Sequence, residues 1–107
     1  MAKNKETFMT VKEVLELDLA KARRDRDRIK KDISNLEGLV GDLERNIRRN
    51  HRLLQYNVSP QRRRDTEQNT RNSEHALNKY KEDLHKAQDK LRDVEHRISE
   101  LKRKLKI

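Results

Sequence analysis

Several residue types that usually organise small proteins are scarce in this chain of 107 residues. It has no cysteine and no tryptophan, only two glycines and one proline, and 3% aromatic residues. Without cysteine there is neither a disulfide framework nor a thiolate metal site, which suits a reducing compartment. No apolar run approaches the length of a membrane span, and the N-terminus lacks the apolar segment of a signal peptide. We therefore expect a cytoplasmic protein without a membrane partner.

Charged residues dominate what is present. They make up 44% of the chain against 31% hydrophobic residues, and the formal net charge is +9. A compact globule needs a richer apolar interior, so the chain is either disordered or built from long helices that share a narrow apolar seam. The positive surplus favours nucleic acid or an acidic protein surface as a partner.

A heptad pattern in the sequence favours long helices over disorder. Thr10 and Glu13 have the spacing of a capping box at the start of a first helix. Apolar residues then recur at spacings of three and four, with only Arg26 and Asn50 breaking the stripe: Leu15, Leu19, Ala22, Ile29, Ile33, Leu36, Val40, Leu43, Ile47 and Leu54. Ser59-Pro60 is typical of a helix N-cap and first helical position, and Asp65 with Gln68 is a second candidate cap, so helix 2 starts between Pro60 and Thr66. A second stripe follows: Leu77, Tyr80, Leu84, Ala87, Leu91, Val94, Ile98, Leu101 and Leu105.

These stripes predict an all-α fold, one long antiparallel two-helix coiled-coil hairpin. We expect a flexible N-terminus at 1–9 and a single helical-hairpin domain at 10–107. Within it, helix 1 covers about 10–57, the turn 58–65, and helix 2 about 61–106.

Flanking charges favour one alignment of the two helices, in which the numbers of facing residues sum to about 120. Leu36 then lies opposite Leu84. Six flanking pairs join opposite charges: Glu16–Lys102, Arg23–Glu95, Glu37–Lys81, Asp18–Lys104, Asp25–Arg97 and Asp32–Lys90. Near the turn the layers become Ile47–Ser73, Asn50–Thr70 and Leu54–Thr66, which are half polar. The alternative alignment is shifted by one heptad, needs a longer loop and places Leu36 opposite Leu91.

Several apolar residues lie outside the seam, among them Val11, Val14, Leu17, Leu39 and Leu53. Three of them cluster near the start of helix 1 and cannot all face one partner helix. We therefore expect a homo-oligomer, such as a four-helix bundle of two hairpins, although a wider seam is the alternative. Gly38 and Gly41, each costing ~1 kcal/mol relative to Ala in a helix, have no role that the sequence assigns.

Uncompensated positive charge collects at the turn. Residues 45–64 contain no Asp or Glu and seven arginines: Arg45, Arg48, Arg49, Arg52, Arg62, Arg63 and Arg64. The last three fall on the first turn of helix 2, where the helix dipole favours anions, so a phosphate group is the expected ligand. Leu53, Tyr56 and Val58 have few neighbours to pack against and are candidate apolar contacts for a protein partner.

The sequence carries no catalytic pattern. It has no Ser-His-Asp set and no glycine-rich phosphate loop, and its histidines lack metal-ligand spacing, so we expect no enzyme, cofactor, metal or small-molecule substrate. The leading hypothesis is a module that grips nucleic-acid phosphates through the arginine-rich tip. The alternative is a protein-interaction or inhibitor hairpin that docks on an acidic groove of a larger complex, such as one that processes nucleic acid. The third hypothesis is a plain structural spacer.

Overall fold

The computed structural model describes residues 9–107 and confirms the all-α helical hairpin. Helix α1 is Val11–Leu54 and helix α2 is Pro60–Leu105. Residues 61–65, which the expected turn included, are helical, and the connection is residues 55–59. The N-terminal segment expected to be flexible lies outside the described residues except for Met9. Neither described helix contains a stretch apolar enough to span a bilayer.

Both helices begin at the caps that the sequence predicts. The Glu13 backbone N–H donates to Oγ1 of Thr10 at 3.1 Å, and the Thr10 hydroxyl donates to the Glu13 carboxylate at 3.0 Å. At the start of α2, the Arg62 backbone N–H donates to Oγ of Ser59 at 3.2 Å. Each hydroxyl satisfies an N–H group that has no partner within its own helix, which fixes where the helix starts.

The chain divides into two units, one formed by residues up to Lys31 together with Gln88–Ile107 and the other by Asp32–Ala87. The first unit holds an apolar cluster whose four central side chains are at most 5% exposed: Leu19, Ala22, Ile98 and Leu101. Leu15, Val94 and Leu105 pack against them. Burial of each large aliphatic side chain contributes about 1.5–3 kcal/mol, so this cluster joins the two helices within the unit.

The second unit is held together differently. Val40 is its one buried apolar residue among the described residues, whereas four polar residues are buried there: Asn50, Thr66, Thr70 and Ser73. The Asn50 amide donates to Asn69 at 2.8 Å, and the Asn46 amide donates to Ser73 at 2.9 Å. The numbers of each bonded pair sum to 119, which agrees with the preferred alignment and contradicts the alignment shifted by one heptad.

The expected flanking ion pairs were wrong in detail. Within the first unit, Asp18 lies 3.9 Å from Arg97 and not beside Lys104. Asp25 pairs with Arg28 of its own helix at 3.0 Å, and Glu16 lies 3.9 Å from Lys12. Neighbours three or four residues along an exposed helix compete with partners across the seam, and either contact is worth only a few tenths of a kcal/mol.

Candidate nucleic-acid interface

We define the tip as residues 45–74, which lie wholly within the second unit. It comprises the last turns of α1, the connecting residues 55–59 and the first turns of α2. The end of α1 tightens, because the backbone N–H groups of Gln55 and Tyr56 donate to carbonyls three residues earlier, each at 3.1 Å. Ser59 then starts α2, so only a short irregular segment separates two rigid helices that position the side chains of the tip.

The interior of the tip is a polar seam, which we define as Asn50, Thr66, Thr70 and Ser73. These four side chains are 6–9% exposed and occupy heptad positions that are apolar elsewhere in the chain. Among the described residues no buried side-chain nitrogen or oxygen lacks a hydrogen-bond partner. No fully buried side-chain atom of the seam is therefore left without a partner.

Asn69 is the centre of this network. Its carbonyl oxygen accepts from the amides of both Asn46, at 3.2 Å, and Asn50, at 2.8 Å. The Thr70 hydroxyl donates to the Thr66 carbonyl at 2.8 Å, a bond along its own helix. Hydrogen bonds of this kind contribute about 0.5–1.5 kcal/mol each, so each polar layer stabilises the tip less than a buried aliphatic layer would.

Four arginines share one face of α1 at the tip. Arg45, Arg48, Arg49 and Arg52 have the spacing i, i+3, i+4 and i+7, which places them side by side on a helix. All four are exposed. We call them the arginine stripe, and at 1.5 Å per residue it extends ~10 Å along the helix axis.

Most of the stripe is electrostatically uncompensated. Arg45 pairs with Asp42, a carboxylate just outside the arginine-rich window. Within the described part of the chain, Arg48, Arg49 and Arg52 form no ion pair with any carboxylate within 4.0 Å. Arg48, His51 and Arg52 line a shallow, open surface depression of about 400 Å³.

The three arginines of α2 do not form one cluster. Consecutive helical residues point about 100° apart, and only Arg62 and Arg64 are exposed. Arg64 donates to the Gln61 side chain at 3.0 Å. Arg63 is half-buried and its guanidinium donates to the carbonyl of Tyr56 at 3.4 Å. Arg63 therefore closes the turn, a role that sequence reasoning missed although residue 63 lies two heptads before the seam residue Leu77.

The structure also brings a carboxylate to the tip that the arginine-rich window does not contain. Glu74 of α2 lies 3.9 Å from Nε2 of His51 on α1. Both side chains are more than half exposed, so this contact leaves the arginine stripe itself uncompensated.

The three candidate apolar contacts differ in accessibility. Tyr56 is 69% exposed and projects from the connecting segment, whereas Leu53 and Val58 are half-buried. Only Tyr56 thus presents a large accessible surface to a partner. The described residues contain no group of three or more His, Cys, Asp or Glu that could hold a metal ion.

Comparison with known proteins adds no relative for this site. Neither the family models, the curated proteins nor the solved structures match this chain.

Proposed function

We propose that this chain is a non-enzymatic binding module of the cytoplasm that grips nucleic-acid phosphates through its tip. The observation that carries the proposal is the arginine stripe, four exposed guanidiniums on one helical face, three of them without a carboxylate partner. Guanidinium groups bind phosphate oxygens through paired, charge-assisted hydrogen bonds. A row of them on a rigid helix matches a polyanion that repeats its charge at short intervals.

The position of the stripe is compatible with the stability of the fold. Cations in the last turn of a helix interact favourably with its dipole, so Arg52 does not strain the end of α1. Arg62 has the opposite situation, since it stands in the first turn of α2, where no acidic residue balances it. A phosphate near the N-terminal turn of α2 relieves this repulsion, which makes Arg62 a second contact beside the stripe.

The ligand in this proposal is recognised by its backbone and not by its bases. Tyr56 is the only aromatic side chain of the tip, and one ring is not a platform on which several bases can stack. Contacts to phosphates carry no sequence information of their own. The module should therefore bind nucleic acids of different sequence with similar affinity, and salt should weaken every one of them.

Salt dependence is the decisive measurement. Fluorescence anisotropy with a short random-sequence DNA duplex, and with RNA of equal length, gives the dissociation constant at several salt concentrations. Counterion release predicts a linear loss of affinity on a logarithmic scale. Changing Arg48, Arg49 and Arg52 to Gln should weaken binding and flatten that slope by up to about three phosphate contacts.

The matched control removes the same charge from the other unit. Lys102, Arg103 and Lys104 close α2, and changing them to Gln should leave most of the slope intact. If the two triple variants lose equal affinity, the protein attracts nucleic acid through diffuse charge and not through a site at the tip. If the unmodified protein binds neither nucleic acid at low salt, the proposal fails. The exposed Tyr56 then favours the alternative, a protein-interaction or inhibitor hairpin that docks on an acidic groove of a larger complex.

A further inference from the structure

The start of α1 carries an exposed surface whose apolar side chains lie outside the apolar cluster of the first unit. We define the N-terminal face as seven exposed residues at helical spacing: Thr10, Glu13, Val14, Leu17, Ala20, Lys21 and Arg24. Leu17 is 58% exposed and Val14 is 43% exposed. The apolar cluster of the same unit uses Leu15 and Leu19, each two residues away from Leu17 and thus about 160° around the helix. Leu17 therefore cannot reach the cluster.

The N-terminal face is symmetric in its chemistry about Leu17. Val14 and Ala20 stand three residues to either side of it, and both are apolar. Glu13 and Lys21 stand four residues to either side, and their charges are opposite. When two such helices cross antiparallel about Leu17, each Val14 meets an Ala20 and each Glu13 meets a Lys21.

We propose that the N-terminal face binds a second copy of this chain, with the two α1 helices antiparallel and centred on Leu17. A parallel arrangement would place Glu13 beside Glu13 and Lys21 beside Lys21, and like charges at these positions oppose association. The two-fold arrangement repeats each contact twice, as a symmetric dimer requires. The proposal is independent of nucleic-acid binding, because no residue of the tip takes part.

The groups that must pair are accessible. Lys21 has no carboxylate within 4.0 Å among the described residues. Glu13 accepts the Thr10 hydroxyl at one carboxylate oxygen, which leaves its other oxygen for a cation. The segment from Thr10 to Arg24 is only ~21 Å long, and a stable interface buries about 800 Å² from each partner. A segment this short buries less than that, so the dimer should be weak.

Sedimentation equilibrium over a series of protein concentrations measures this dimer. The unmodified chain should shift from monomer to dimer as concentration rises, and Val14→Ser with Leu17→Ser should hold it monomeric. Leu39→Ser is the matched control, since Leu39 is as exposed as Val14 but lies on the second unit. It should dimerise like the unmodified chain. A protein that stays monomeric at several hundred micromolar overturns the proposal.

A charge exchange tests the antiparallel pairing itself. Glu13→Lys removes the one acidic group of the face and Lys21→Glu adds a second, so each variant alone should dimerise on the order of tenfold more weakly because like charges then meet. Mixing the two variants should restore association, because each chain now meets the opposite charge. Circular dichroism verifies that both remain helical, since Glu13 also caps α1. If the mixture associates no better than the separate variants, the surface is wrong. If each separate variant associates as well as the unmodified chain, the orientation is wrong.

Discussion

Across the two helices of the second unit, the side-chain amide of Asn50 donates a 2.8 Å hydrogen bond to the side-chain oxygen of Asn69. Asn50 is 9% exposed, so its amide has little access to water and depends on this acceptor. A buried amide without a partner costs about 1–3 kcal/mol. Shifting α2 by one heptad would place Asn50 opposite Leu77 and move Asn69 about 10 Å along the axis. The bond therefore selects the alignment of the helices.

Replacing Asn50 by Leu should weaken this selection. The introduced leucine needs no acceptor and packs well on Leu77 in the shifted alignment, so the shifted form should gain roughly tenfold or more in population. Disulfide trapping measures it, because the chain contains no cysteine of its own. A Leu43→Cys, Leu77→Cys pair reports the observed alignment, and Leu43→Cys with Leu84→Cys reports the shifted one.

The unmodified seam should crosslink only through the first pair, and Asn50→Leu should make the second pair form. Asn72→Leu is the control, an identical change on an exposed position of α2 that should alter neither. If the second pair stays reduced in the Asn50→Leu background, another contact sets the alignment.

Gly38 should be replaceable by Ala with a gain in stability. A Cβ built at Gly38 meets nothing within 4 Å, and one at Gly41 meets only the Arg45 guanidinium at an ordinary contact of 3.5 Å. Each Gly→Ala change should therefore raise the free energy of unfolding by about 1 kcal/mol, as measured by urea unfolding. Ser34→Gly, on the same helix and exposed, should lower it by about half as much. If Gly38→Ala lowers the free energy of unfolding, the space around Gly38 is not open as the structure shows it.

At Lys106 the opposite kind of substitution, to glycine, should stabilise the protein. It follows α2 with a φ of 58°, where its backbone N–H bonds the carbonyl of Arg103 at 3.1 Å and that of Ile107 bonds Lys102 at 3.0 Å. Glycine is the residue that adopts this left-handed conformation without steric penalty. Lys106→Gly should raise the free energy of unfolding by up to about 1 kcal/mol, and Lys106→Val should lower it. Urea unfolding of the two variants checks both signs.

Most of the fold could be predicted from the sequence because it follows from the apolar repeat and from helix capping. The heptad spacing required two helices, and hydroxyl groups at Thr10 and Ser59 marked where they start. The polar layers of the seam followed from the same heptad count. Which carboxylate pairs with which cation did not follow, since exposed ion pairs differ by only tenths of a kcal/mol.

The candidate site was less predictable for a related reason. A count of arginines in a window gives charge but not direction, so it grouped Arg63 with its neighbours although the structure turns it inward. It also overlooked Asp42 and Glu74, which reach the tip from outside the window. Helical direction is what separates the arginine stripe from the arginines of α2.

Arg62 and Arg63 are adjacent, but their substitutions should have opposite effects. Arg62 is exposed on the first turn of α2, so Arg62→Gln removes an unfavourable cation and should raise the free energy of unfolding by a few tenths of a kcal/mol. Arg63→Gln loses the bond to the Tyr56 carbonyl and should lower it by about 0.5–1.5 kcal/mol. Urea unfolding of the two single variants gives both values.

For nucleic-acid binding, the substitution that stabilises the fold should be the one that weakens the interaction. Under the proposed function, Arg62→Gln should flatten the salt dependence of DNA binding by about one phosphate contact, whereas Arg63→Gln should leave it unchanged. Measuring both variants well below their unfolding transitions keeps lost structure from imitating lost affinity. Equal flattening by the two, with no loss of stability from Arg63→Gln, would show that Arg63 leaves the turn and reaches the ligand. The inward contact to Tyr56 argues against that outcome, because the half-buried Arg63 must give up this bond before it gains any phosphate.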